Sequence, residues 1–529
     1  MGMVSFMLLN TREFGLMNKL FLSLLLIPLV ISGCATNPVT GKRELSLVSE
    51  SKEIAIGEQQ YAPMRQSQGG DYVVDEALTA YISEIGQKLA AVSDRKLPYE
   101  FKVLNSSVPN AWALPGGKIV VNRGLLTELN DEAELAAVIG HEIVHAAAKH
   151  GARTMSRGML MQGAMLATVV ATQGKDYAQL AQMGAGLGAQ LITTKYGRDA
   201  ERESDFYGME YMSRAGYDPK GAVDLQKTFV KLSEGHKQDW ISGLFASHPP
   251  SKERVDNNIK KVAELPPGGE RGEVRFKEKT AHIMRTKDAY AAYDKGRKAL
   301  AEGKVEEAKS LVQQALAVEP KEGHFHALLG DIELEKGQLT SAKREYDKAL
   351  GYNDKFFYYH LQRGLVNEKL DIHGEAKQDL DNSLKLLPTA NAFNSLGNIA
   401  KLEGDINKAK EYFVKAAGDK GDSGKQAFSS LVELDLADNP GKYIQVRTAM
   451  DNRGRLVAQI SNPTPKDVRG LVIAVKYAGR DGRMRQAKAP LNGVLKAGTK
   501  EVIDLGVGSM SQEQMRSLQA GIIGASVAN

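Results

Sequence analysis

Two histidines four residues apart, with a glutamate directly after the first, open the question of chemistry in this chain: His141-Glu142-Ile143-Val144-His145. The run from Asp131 to His145 reads as a helix, since Asp131 and Glu134 form an N-terminal capping pair and alanine and leucine supply propensity. Positions four apart leave one helix face about one turn apart, so both imidazoles can reach one tetrahedral zinc. Glu142 is displaced by about 100° around the axis and can reach an attacking water without ligating, the general-base position of an H-E-x-x-H motif. Val138, Ile139, Ile143 and Val144 surround these groups, and two histidines and a glutamate buried among them would be costly without a metal.

A catalytic zinc needs a third protein ligand and one open position. Residues 198–205 read Arg-Asp-Ala-Glu-Arg-Glu-Ser-Asp and continue as a helix to about Ala215, where Gly216 and Pro219 end it. Glu201 and Asp205 share a face and Glu203 points away. A glutamate would complete a His2Glu set, and Asp205 could orient a ligand histidine through its second ring nitrogen. By spacing alone this is one acidic pair among several.

The elements that must position these residues belong to a long chain. Its 529 residues imply three or more domains. Hydrophobic content of 42%, charged content of 25% and a net charge of +5 are ordinary for globular protein and give no reason to invoke nucleic acid. The one cysteine, Cys34, excludes an internal disulfide. Met17-Asn18-Lys19, the apolar run Leu20 to Ile31, and Ile31-Ser32-Gly33-Cys34 resemble a secretory signal ending in a bacterial lipobox. Met17 then reads as the true start, residues 1–33 as removed, and Cys34 as lipidated. By resemblance to Gram-negative lipoproteins, Ala35 in place of an aspartate after the cysteine implies the outer membrane.

Residues 34–50 read as a lipidated terminus and tether, 51–265 as the catalytic domain, and 266–283, opened by Pro266-Pro267-Gly268-Gly269, as a linker. Gly296, Gly330, Gly364 and Gly397 recur at 34, 34 and 33 residues, and Ala308, Ala342, Ala376 and Ala409 keep the same register. This resembles about four tetratricopeptide repeats over 284–421, a solenoid whose concave side suits peptide binding or serves only as scaffold. Residues 422–438 read as a linker or capping helix. Residues 439–529 turn β-like, with runs at 443–448, 455–461, 470–477 and 500–505, and read as a small β-sandwich.

H-E-x-x-H followed by Glu201-x-x-x-Asp205 is similar to the HtpX and CAAX-prenyl-protease family of gluzincins. So are Asn110-Ala111-Trp112-Ala113-Leu114-Pro115-Gly116-Gly117, Ser247-His248-Pro249 with Arg254, and Pro38-Val39-Thr40-Gly41-Lys42. The repeats and signal place the resemblance with its periplasmic, repeat-bearing branch, over about residues 38–265. It implies an α+β zincin-like domain with one zinc on His141, His145 and Glu201, and Glu142 as base. It makes His248 an oxyanion donor, a reversible fourth ligand, or a residue that fixes the turn before Pro249. Arg254 would pair with Glu201 or another carboxylate. Asn110, Ala111, Trp112 and Ala113 lie between strands 101–104 and 119–122, and an exposed edge there could pair with an extended substrate. Met155–Gly188 reads as either a buried helical hairpin or a lid. The resemblance implies cleavage of misfolded or stalled envelope proteins, the repeats recruiting substrate or the barrel assembly machinery. The other reading is an assembly adaptor with rare proteolysis.

Overall fold

The computed structural model describes residues 34–172, 196–235, 248–479 and 481–528. The signal segment 1–33 and the part of Met155–Gly188 beyond Thr172 lie outside them. The chain divides into two compact units, parting after Leu328.

In the first unit a hairpin of β1 (Cys34–Thr36) and β2 (Arg43–Leu45) leads into α1 (Glu50–Ser67) and α2 (Glu76–Ala91). Residues 34–50, expected as a free tether, are folded against the domain. Asn37 Nδ2 donates to the Ala148 carbonyl at 3.2 Å, the Leu47 amide donates to Ser156 Oγ at 3.0 Å, and Val48 is buried. Strands β3 (Glu100–Leu104), β4 (Ala111–Leu114) and β5 (Lys118–Asn122) form a sheet in the order β3-β5-β4, parallel between β3 and β5 and antiparallel between β5 and β4. After the short α3 (Arg123–Leu126) comes α4 (Glu132–Ala147), every residue of which is buried. Asp131 caps it, its Oδ1 accepting from the Glu134 amide at 2.9 Å, while the Glu134 carboxylate turns back onto the Asn130 amide at 2.8 Å. Helices α5 (His150–Thr172), α6 (Arg198–Arg214), α7 (Lys220–Gly235) and α8 (Lys252–Glu264) complete the α+β domain. No described helix is long and apolar enough to cross a membrane.

The segment expected as linker is largely helical. Helix α9 runs from Glu273 to Ala301, with Phe276, Thr280 and Ile283 buried. Arg271 pairs with Asp131 at the cap of α4, and Arg275 with the buried Glu132 one residue on. Further along α9, Tyr290 stacks under the Arg123 guanidinium and donates to Glu322, which also accepts from Asn105 Nδ2 at 3.0 Å. The first helix pair, α9 with α10 (Val305–Val318), is thus built into the same unit as the catalytic domain.

The second unit holds further antiparallel helices: 339–352, 357–369, 373–386, 390–402, 406–416, and 422–435 where a linker or capping helix was expected. The recurring glycines sit at helix crossings. A Cβ on Gly330, Gly364 or Gly397 would lie 2.7, 2.9 or 2.6 Å from Tyr346, Leu380 or Phe413 respectively. Beyond them, two antiparallel sheets share one apolar cluster with the last helices: β11-β7-β6, and β10-β8-β12 with β9 on β8. Here β6 is Gln445–Met450, β7 Leu456–Ser461, β8 Val468–Ala478, β9 Met484–Pro490, β10 Val494–Leu495, β11 Lys500–Asp504 and β12 Gln519–Val527. Strands β9, β10 and β12 had no counterpart in the sequence reading.

Candidate metal centre

Helices α4 and α6 touch backbone to backbone. A Cβ on Gly140 would lie 3.2 Å from the Gly208 carbonyl oxygen, and one on Gly208 would lie 3.1 Å from the His141 nitrogen. That approach sets Glu201, in the first turn of α6, against the two histidines of α4. His141 Nε2 lies 3.0 Å from His145 Nε2 and 3.5 Å from Glu201 Oε2, and His145 Nε2 lies 3.4 Å from Glu201 Oε1. His248, just before α8, brings Nδ1 to 3.3 Å from His141 Nε2 and 3.0 Å from Glu201 Oε1. All four side chains are buried, and one donor atom from each lies within 4.8 Å of the others.

These spacings fit a single ion. Donors about 2.0 Å from a tetrahedral zinc stand roughly 3.3 Å apart, and the separations above bracket that value. Lone pairs of two imidazoles and a carboxylate converge on one point, and the buried Glu201 carboxylate turns one oxygen to Arg254 and the other to His145 and His248. Electrostatics agree. Burial works against charge on both imidazoles; Asp205 and Glu201 still push His141 up to about 10, whereas burial holds His145 well below the usual imidazole value and so leaves it a neutral donor.

A surrounding layer orients the donors. His141 Nδ1 lies 3.0 Å from Asp205 Oδ1. Arg254, capped into α8 by Ser251, clasps Asp205 with Nε and Nη2, each at 2.7 Å, and reaches Glu201 Oε2 at 3.1 Å. Burial would raise the Asp205 carboxyl, but Arg254 outweighs it and holds it low. Glu142 stands beside the cluster, 3.6 Å from His248 Nε2, with Oε2 free of any hydrogen bond. Burial pushes its pKa up, which suits a group that must take and release a proton.

The structure brings together His141, Glu142, His145, Glu201, Asp205, His248 and Arg254. Ala111, Trp112 and Ala113 lie on β4, which packs against α4, and neither they nor Asn110 contribute a donor to this cluster. β4 is an edge strand of its sheet, but the side chains of Ala111–Leu114 are buried rather than exposed, with Trp112 Nε1 donating to Gln68. Two further side chains flank His145: Tyr196 stacks on it with ring centroids 4.0 Å apart, and His150 Nδ1 meets its Nδ1 at 2.9 Å. Nothing in their spacing marks either one, because both lie beyond the ends of the helices that carry the motif.

An H-E-x-x-H helix packed on a short sheet, with a glutamate and an aspartate one turn apart on α6 facing its histidines, is the arrangement of a metalloendopeptidase. The profile of peptidase family M48 matches residues 76–262, and tetratricopeptide repeat profiles match 299–363 and 390–418. Metalloprotease YcaL of Escherichia coli (strain K12) is 31% identical over 188 residues, 34% of this chain and 71% of that protein. The beta-barrel assembly-enhancing protease of the same strain is 24% identical over 345 residues, 60% of this chain and 70% of that one. A protein of Vibrio cholerae named putative beta-barrel assembly-enhancing protease is 26% identical over 232 residues, and the match spans 42% of this chain and 46% of that relative. The chain belongs to peptidase family M48.

Proposed function

We propose that this chain is a zinc-dependent endopeptidase of envelope protein quality control, acting on misfolded or stalled envelope proteins. The observation that carries the reading is the convergence of His141, His145, Glu201 and His248 on one point, with Glu142 alongside. Zinc held there supplies Lewis acidity, making water acidic near neutral pH and polarising the scissile carbonyl. Glu142 takes a proton from the attacking water and delivers it to the leaving amine. Asp205 and Arg254 keep His141 and Glu201 aimed. His248 faces the ligand cluster with Nδ1 and Glu142 with Nε2, which favours the reversible fourth ligand over the oxyanion donor. In that role His248 must withdraw before a substrate carbonyl can enter.

The relatives' names point to barrel assembly as the setting, so outer-membrane barrels and their assembly machinery are the proposed clients and partners, recruited by the repeats. Lipid on Cys34 would hold the chain at the outer membrane on its periplasmic side. We read the two C-terminal sheets as a small β-sandwich. In a null strain, wild type should clear a stalled barrel precursor, while Glu142→Gln and deletion of 284–421 should not. Clearance by Glu142→Gln would favour an adaptor over a protease.

A further inference from the structure

We propose that His150 and Glu203 form a positioning relay that sets the tautomer and orientation of His145, and that the N-terminal hairpin braces this relay. The inference rests on reading the site as a metal centre. A ligating imidazole offers the lone pair of one nitrogen and carries its proton on the other, and that proton needs an acceptor. For His141 the acceptor is Asp205. For His145 the partner at Nδ1 is another imidazole, His150, whose Nδ1 lies 2.9 Å away.

The direction of that bond follows from the far side of His150. Its Nε2 lies 3.1 Å from Glu203 Oε2. A carboxylate accepts and does not donate, so Nε2 of His150 holds the proton. In a neutral ring the other nitrogen is then an acceptor, so Nδ1 of His150 receives the proton of His145 Nδ1. Nε2 of His145 is left with its lone pair toward His141 and Glu201. Ser204 Oγ also lies 3.4 Å from His150 Nδ1.

The backbone is shaped to deliver His150. A residue five beyond His145 in an unbroken helix would face elsewhere. Lys149 instead takes φ of +60°, breaking the chain between α4 and α5 and turning His150 back. Glu203 is held in turn by Arg153 Nη2 at 3.4 Å and Lys42 Nζ at 3.9 Å. Arg153 also grips Glu44 of the hairpin. Asn37 ties Glu44 and the Ala148 carbonyl together, at 3.0 and 3.2 Å.

The test compares wild type, His150→Phe, His150→Gln and Glu203→Gln, each residues 34–529, by chelator-competition zinc affinity, metal-free melting temperature and the 15N spectrum of His145. His150→Phe and Glu203→Gln should weaken zinc about 10- to 100-fold with little change in metal-free melting. Glu203→Gln should convert His145 from one tautomer to a mixture, and His150→Gln, which keeps an acceptor, should recover part of the affinity. Unchanged zinc affinity in a folded His150→Phe or Glu203→Gln overturns the relay. So does a loss that tracks metal-free melting alone. If His150→Phe fails to fold, Glu203→Gln carries the test. Failure of wild type to bind zinc would instead overturn the metal centre itself.

Discussion

Replacing Arg254 by leucine tests how the centre is held together. The guanidinium is buried and makes three close contacts with two buried carboxylates, 2.7 and 2.7 Å to Asp205 and 3.1 Å to Glu201. Removing one side of such a pair strands the other charge, at a cost of about 3–5 kcal/mol. In a domain of about 200 residues each kcal/mol moves the melting temperature by about 2–4 °C, so metal-free protein should lose about 6–20 °C. Zinc places positive charge against Glu201, so the loss should be smaller with metal bound. The assay is thermal unfolding with and without a chelator, for Arg254→Leu, Asp205→Asn and the double variant. Coupled residues should not add: once Asp205 is neutral, losing Arg254 should cost markedly less. A drop under about 1 kcal/mol in the metal-free single variant, or strict additivity, would refute this account of the brace.

Three further outcomes follow from other parts of the first unit. Burial would raise the Glu132 carboxyl, but hydrogen bonds from Arg275, Tyr81 and Tyr217 outweigh it and hold it low. Its stabilisation should be full above the ordinary carboxylate value of about 4.3 and fade as pH falls through the lowered one, so Glu132→Gln should flatten the acid limb of a stability–pH curve. A chain ending at Leu265 should unfold at lower denaturant than one ending at Val318, because it lacks Arg271, Arg275 and the buried face of α9; equal midpoints in urea would count against a shared unit. Gly208→Val should push α6 off α4, costing about 1–3 kcal/mol by melting and weakening zinc binding, since the Cβ starts 3.1 Å from the His141 backbone nitrogen.

What the sequence disclosed depended on periodicity and on contrast. The metal helix was legible because polar groups interrupt an apolar helix at a fixed spacing, and the repeats because helix crossings demand small residues every 34 positions. The N-terminal hairpin was hidden because Asn37-Pro38 and Gly41 look the same in a tether and in a turn; what fixes it is a contact with Ala148, far along the chain. β9, with its Arg, Gln, Lys and Pro, and β12, with two glycines, lack the alternating β-branched pattern and exist by pairing with β8. Residues 266–283 looked like linker because they open with Pro-Pro-Gly-Gly, yet Arg271 and Arg275 there meet Asp131 and Glu132. The approach of His150 to His145 was not legible because it depends on one left-handed residue, Lys149, which no helical spacing announces.

The most direct test is zinc content and cleavage of unfolded casein, measured together for residues 34–529 of the wild type and for Glu142→Gln. One zinc per chain in both, with cleavage by wild type alone, is the predicted result. No zinc in either, or full cleavage by Glu142→Gln, would contradict the account.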